Sequence, residues 1–201
     1  MNVSTKKNIV SAKRKQTDNA HFAWKVILRR EAVSSLDTVR VLDCFAGCNR
    51  LWTEVGYDYY HGLEQQKGKG RLNIHADNLR IIPVLDLSLF NVIDLDSYGV
   101  PGNQLLAIIK NKTLPEKMVI VYTAICAPLA ESHKSFLLAN GILPDTYRKC
   151  PTLFNNRLGT IFDTFLFRKL GVERDHSFSI KEGAYWKRYG YFTLYKKRIM
   201  C

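Results

Sequence analysis

The stretch Val39-Arg40-Val41-Leu42-Asp43-Cys44-Phe45-Ala46-Gly47 decides the fold. Its first five residues are mostly apolar and partly β-branched, as in a short strand covered on both faces. An acid ends the strand, a small-residue turn follows at Ala46-Gly47, and a helix is expected through Leu51, Trp52 and Val55 to Gly56. Strand, turn and helix open a βαβ unit.

Outward from this stretch the pattern repeats. A second strand is expected over 57–64, ending in Glu64, and a third over 72–76, followed by Asp77. A fourth covers 91–95 and runs into Asp94-Leu95-Asp96. Pro101 marks a helix start, and 118–123 is an apolar run typical of a central parallel strand. Upstream, residues 20–36 read as an amphipathic helix, with Phe22, Val26, Ile27, Ala32 and Val33 opposite Arg29, Arg30 and Glu31. Downstream, 155–170 reads as a helix ending at Gly171. Two alternating runs, 176–180 and 191–196, then follow each other with no helix between them. They read as an antiparallel hairpin at the sheet edge, joined by a loop. The expected fold class is α/β: a Rossmann-like, mostly parallel seven-stranded sheet with an antiparallel C-terminal hairpin. Residues 20–201 form one domain in this reading, behind a mobile basic arm over 1–19.

Composition narrows the class. Of 201 residues, 46% are hydrophobic and 24% charged, which excludes disorder for most of the chain. No apolar run reaches the ~20 residues of a membrane span, and the basic N-terminus has no apolar core of a secretory leader. Five irregularly spaced cysteines suit a reducing, cytoplasmic setting. Cys44 and Cys48 lack a nearby third thiol, so no metal site is expected. The net charge of +12 is uneven. Residues 1–40 hold nine Lys/Arg against three acids, 41–135 nine against ten, and 136–201 twelve against five. Two basic ends around a neutral middle point to a polyanionic partner, of which nucleic acid is the commonest.

Ligands of open α/β sheets bind at the carboxyl ends of the strands. No phosphate-cradling Gly-Lys-Ser/Thr turn is present there. Acids are, and they suit a ligand with hydroxyl or amine groups: Glu64 is placed to accept from a ribose diol, and Asp77 from an exocyclic amine. Strand-end acids also cap helices. The segment 181–189 interleaves Tyr185, Trp186 and Tyr189 with Lys187 and Arg188. It reads either as a base-stacking, phosphate-contacting loop or as a hairpin tip packed on the preceding helix. Lys13, Arg14 and Lys15 are the candidate phosphate contacts of the arm.

Residues 41–47, with Glu64 and Asp77, resemble a class I S-adenosylmethionine-dependent methyltransferase. Phe90-Asn-Val-Ile-Asp94-Leu-Asp96-Ser97-Tyr98-Gly99-Val-Pro101 is similar to the I-D-x-D-P-[FY]-G-[ST]-P signature of the tRNA (guanine-N2)-dimethyltransferase family. Val121-Tyr-Thr123-Ala-Ile-Cys-Ala127-Pro is similar to that family's Thr-rich segment. The resemblance covers about residues 39–130. It implies S-adenosylmethionine as cofactor, held by Asp43, Phe45, Ala46 and Gly47 on the methionine side, Glu64 at the ribose and Asp77 at the adenine. It implies that Asp94, Asp96 and Tyr98 face the nitrogen to be methylated. Asn49 and Ser97 stand where the family has Gly and Pro. The chain shows no counterpart of the C-terminal domain with which that family grips tRNA, which leaves room for a protein partner that supplies substrate recognition. The expected function is N-methylation of an exocyclic amine in nucleic acid, RNA ahead of DNA. The rivals are a protein or small-molecule methyltransferase, and a non-catalytic binding protein of the same fold.

Overall fold

The computed structural model describes residues 21–66, 73–126, 134–182 and 185–199. The candidate arm residues Lys13, Arg14 and Lys15 lie outside them. Seven strands form one sheet: β1 (Arg40–Asp43), β2 (Tyr59–Glu64), β3 (Asn73–His75), β4 (Val92–Asp96), β5 (Lys117–Cys126), β6 (His176–Glu182) and β7 (Tyr185–Tyr195). Their order is β3-β2-β1-β4-β5-β7-β6. The first five are parallel, and β7 runs antiparallel to both β5 and β6. This is the expected Rossmann-like sheet with its antiparallel end. The order reverses between β1 and β4, the topological switch point where such sheets open a crevice for ligand.

The helices are α1 (Phe22–Val33), α2 (Arg50–Val55), α3 (Asn78–Ile81), α4 (Gly102–Ile109), α5 (Lys134–Ala139), α6 (Pro144–Lys149) and α7 (Pro151–Leu170). α7 begins at a proline, whose missing N–H costs nothing in the first turn. It ends at Gly171, left-handed at φ 59°, where an added Cβ would meet the Arg198 carbonyl oxygen at 2.6 Å. The side chain of any other residue is excluded there twice over.

Alternation along the strands makes two cores. Leu42, Ile93, Leu95, Ile120, Tyr122, Phe192 and Leu194 point to one face, under Leu105 and Ile108 of α4, Phe136 of α5 and Phe162, Phe165 and Leu166 of α7. Val41, Val92, Val119, Val121 and Tyr189 point to the other, under Leu28 and Ala32 of α1 and Trp52 of α2. Phe162 and Phe165 are buried in the first core, whereas Phe167 is exposed.

Three expectations are corrected. First, α1 turns a different face inward: Val26, Leu28, Arg29 and Ala32 are buried while Ile27 is exposed. The sheet beneath it carries carboxylates, so a cation rather than an isoleucine is drawn in. Second, residues 181, 182 and 185–189 of the expected loop are strand. β5 continues to Cys126 and supplies ladder partners for Trp186 to Tyr189. β6 and β7 then pair from His176–Tyr191 out to Glu182–Tyr185. Third, two short helices, α5 and α6, precede α7 where none was expected.

Candidate active site

Period-two alternation fixes where the acids go. Val41 and Val92 face α1, so Asp43, Asp94 and Asp96, two and four positions on, lie on the same face. Asp43 and Asp94 are register partners across β1 and β4, and Asp96 is the partner of Thr123 on β5. Three carboxylates therefore cluster at the carboxyl ends of the central strands, beside the switch point.

α1 supplies the countercharge. Arg29 donates to Asp94 twice, Nε to Oδ2 at 2.7 Å and Nη2 to Oδ1 at 2.8 Å, and both side chains are 1% exposed. The Trp52 indole N–H adds a third bond to Asp94 Oδ2 at 2.7 Å. Lys25, one turn earlier, places Nζ 2.8 and 2.7 Å from the two oxygens of Asp96. The match is geometric. Residues i and i+4 of a helix rise about 6 Å, and residues i and i+2 of a strand advance about 6.6 Å. Burial depresses the Arg29 pKa, but Asp94 and Asp96 outweigh it and hold the guanidinium charged, above its ordinary value. Burial raises Asp96, and Lys25 and Arg29 more than reverse that, so it stays ionised.

Asp43 forms no ion pair among the described residues, and the attraction of Arg29 is outweighed. Its Oδ1 accepts from the Phe45 N–H at 3.0 Å and its Oδ2 from the Tyr60 hydroxyl at 3.1 Å. Burial, then the neighbouring Asp94, push its pKa up to about 8. Burial and Asp43 likewise push the Tyr60 hydroxyl up, which keeps it a donor.

The turn after β1 is held by β2. Gly47 is left-handed at φ 52° and Asn49 at φ 62°, so the position where Gly was expected keeps a glycine-like backbone. Glu64 Oε2 accepts from the Gly47 N–H at 2.9 Å, and Oε1 from the Gln66 N–H at 2.8 Å. Each oxygen keeps a second lone pair for a ligand hydroxyl. Asp77 caps α3, accepting from the Leu79 N–H at 3.0 Å. Ser97 donates its hydroxyl to the Gly99 and Thr123 carbonyls at 2.8 and 2.9 Å, which fixes the turn after β4 without a proline. Tyr98, on that turn, is 77% exposed.

The sequence-expected residues thus fall into separate groups. Asp43, Phe45, Ala46, Gly47 and Glu64 surround the turn between β1 and α2, with Asp77 at the adjoining strand end. Asp94, Asp96 and Tyr98 sit at the end of β4. Lys187 and Arg188 are instead in mid-strand, with Arg188 paired to Asp163 and Tyr189 buried beside α1. Tyr185 and Trp186 are ladder residues; their side chains lie outside the described residues. Lys25, Arg29, Trp52 and Tyr60 were missed. The available signal was Val-x-Asp alternation on two strands, facing a Lys and Arg four apart. Among the described residues no group of acids, histidines and cysteines is arranged to hold a metal ion. A cleft of about 350 Å³ lies elsewhere, between α1 and the start of β6, lined by Glu31, Arg174, Asp175 and His176 among others.

No protein-family model and no curated protein matches the sequence. Solved structures do match in fold. The N-methyltransferase NodS of Bradyrhizobium japonicum WM9, bound to S-adenosyl-L-homocysteine, is 12% identical; the match covers 88% of this chain and 89% of that one, with a TM-score of 0.54. EvdMO1 is 11% identical over 86% of this chain and 41% of that one, TM-score 0.50. Trm1 of Pyrococcus horikoshii, bound to S-adenosyl-L-methionine, is 15% identical over 86% and 54%, TM-score 0.47. The fold is that of the Rossmann-like methyltransferases.

Proposed function

We propose that the chain is an S-adenosylmethionine-dependent N-methyltransferase acting on an exocyclic amine in nucleic acid, RNA ahead of DNA, in the cytoplasm. One observation carries the reading. Asp96, at the end of β4 beside the switch point, already holds an amine-type nitrogen, Lys25 Nζ, through both its oxygens.

The cofactor site fits its donor set. Gly47 gives a backbone approach with no side chain, Glu64 offers spare lone pairs to a ribose diol, Asp77 offers an acceptor to the adenine, and Asp43, which keeps its proton near neutral pH, offers a carboxyl group to the methionine end. The bound cofactor supplies an electrophilic methyl group. The chain's own residues prepare the acceptor. Asp96 accepts an N–H of the exocyclic amine, raises electron density on that nitrogen, and takes its proton at Oδ as the new C–N bond forms. Asp94, locked by Arg29 and Trp52, fixes the strand end. The exposed Tyr98 ring offers a face for an unstacked base. The basic ends of the chain support a polyanionic acceptor. Cys44, Cys48 and Cys150 are free thiols, as suits a reducing compartment.

The test is transfer of a labelled methyl group to total RNA, DNA, protein and metabolite fractions. Label in RNA is expected. Label confined to protein or metabolites sinks the acceptor assignment, and no label anywhere sinks the enzyme.

A further inference from the structure

The two cations on α1 are not equivalent. Arg29 is the inner one. It is 1% exposed, grips Asp94 with a rigid fork, and also donates Nη1 to the Lys25 carbonyl at 3.1 Å. Lys25 is the outer one. Its side chain is 13% exposed, and a single flexible ammonium meets Asp96, itself 16% exposed. Arg29 Nη2 also lies 4.0 Å from Asp96 Oδ2. Asp96 therefore keeps a neighbouring cation whether or not Lys25 stays. Among the described residues the Lys25 ammonium pairs with no acid but Asp96, and the centroid of the Tyr189 ring lies 5.8 Å from it.

This asymmetry sets a condition on the acceptor, and it rests on the function proposed above. Nζ fills the position from which an acceptor N–H would reach Asp96. A neutral amine that entered would strand a half-buried ammonium without an anion, which is costly. An amine that brings an anion with it avoids that cost, because the anion takes the ammonium as the amine takes the carboxylate. In a polynucleotide that anion is the backbone phosphate, and in the sequence the basic segment 1–19 comes just before α1. We propose that Lys25 is a specificity-determining residue of the acceptor site, exchanging Asp96 for a phosphate of the acceptor so that the carboxylate is released to amines carried beside a phosphate. The exchange forms and breaks ion pairs only; the methyl transfer itself is unchanged.

The experiment compares methyl transfer to an oligoribonucleotide with transfer to the matching nucleosides, in wild type, Lys25→Met and Lys25→Arg. Wild type is expected to favour the oligonucleotide at least a hundredfold in kcat/KM. Lys25→Met is expected to narrow that preference at least tenfold, through a gain on the nucleoside and a loss on the oligonucleotide. Lys25→Arg keeps most of the preference. A preference unchanged in Lys25→Met, or equal losses on both acceptors, makes the pair merely structural and overturns the proposal. A second readout needs no turnover. With S-adenosylhomocysteine present, the Lys25 ¹⁵Nζ resonance of the wild type should shift on adding the oligonucleotide and not on adding nucleoside. A bound oligonucleotide that leaves it in place overturns the proposal even if Lys25→Met does not fold. RNA methylation without either effect removes this inference alone, whereas methylation of phosphate-free amines only removes both it and the function on which it rests.

Discussion

Arg29 and Asp94 stand 65 residues apart in sequence and form a two-point ion pair in which both side chains are 1% exposed. A pair this deep is worth little over a well-packed apolar pair, but half of it is a liability. Arg29→Met should therefore destabilise by about 3–5 kcal/mol, since it strands a buried carboxylate. Arg29→Met with Asp94→Leu should recover much of that loss. Urea midpoints measure both, and a single-variant cost under about 1 kcal/mol would show that Asp94 is solvated or neutral.

Asp43 predicts a pH slope. Its folded pKa is about 8 against an ordinary 3.8. Between those values the folded protein keeps a proton that the unfolded chain has released. Its contribution to stability is full below about pH 4, falls as pH rises, and is gone above about pH 8. Asp43→Asn should remove up to ~1.4 kcal/mol per pH unit of that decline. Thermal melts of both proteins from pH 5 to 8 show whether the two curves converge or run parallel; parallel curves count against the shift.

Glu64 joins turn and ligand. Glu64→Ala removes the acceptor for Gly47 and Gln66 and the proposed ribose contacts. Affinity for S-adenosylhomocysteine should fall by about 1.5–3 kcal/mol, ten- to a hundredfold, in isothermal calorimetry. Unchanged binding by a folded variant places the cofactor elsewhere.

Asp96→Asn keeps the size of the side chain and part of its acceptor capacity while deleting the charge. Methyl transfer should drop on the order of a hundredfold with cofactor affinity kept. Tyr98→Ala should weaken the acceptor complex by about 1–3 kcal/mol if the ring stacks on a base. Steady-state kinetics separates the two: a kcat loss for Asp96, a KM rise for Tyr98.

Deleting residues 1–19 should flatten the salt dependence of RNA binding, because fewer phosphates are neutralised, and leave cofactor binding alone. Fluorescence anisotropy from 50 to 300 mM salt gives the slopes. A full-length protein with no slope has no phosphate contacts to lose.

The sheet was legible because each strand is a short apolar run closed by an acid or a turn. The acids at β1, β2, β3 and β4 were legible for the same reason. Their orientation was not read, although Val41-Leu42-Asp43 and Val92-Ile93-Asp94-Leu95-Asp96 carry it in their alternation. α1 was misread because Lys25 and Arg29 look like solvent residues until the charged sheet face is in place. The 181–189 segment was misread because its lysine, arginine and glycine resemble a loop; its pairing depends on how far β5 runs, which is non-local. α5 and α6 are six residues each, too short to show a period.

The placement of α1 also has a consequence for how the chain is made. The helix lies against β7, and Tyr191 donates to Glu31 across 160 residues at 2.9 Å. A ribosome finishes α1 long before it reaches β7. Until then the nascent helix has only part of its seat, and Asp94 and Asp96 emerge long after the cations that neutralise them. An interval of exposure for α1 is built into the order of synthesis, because the helix is complete well before the strand that closes its seat.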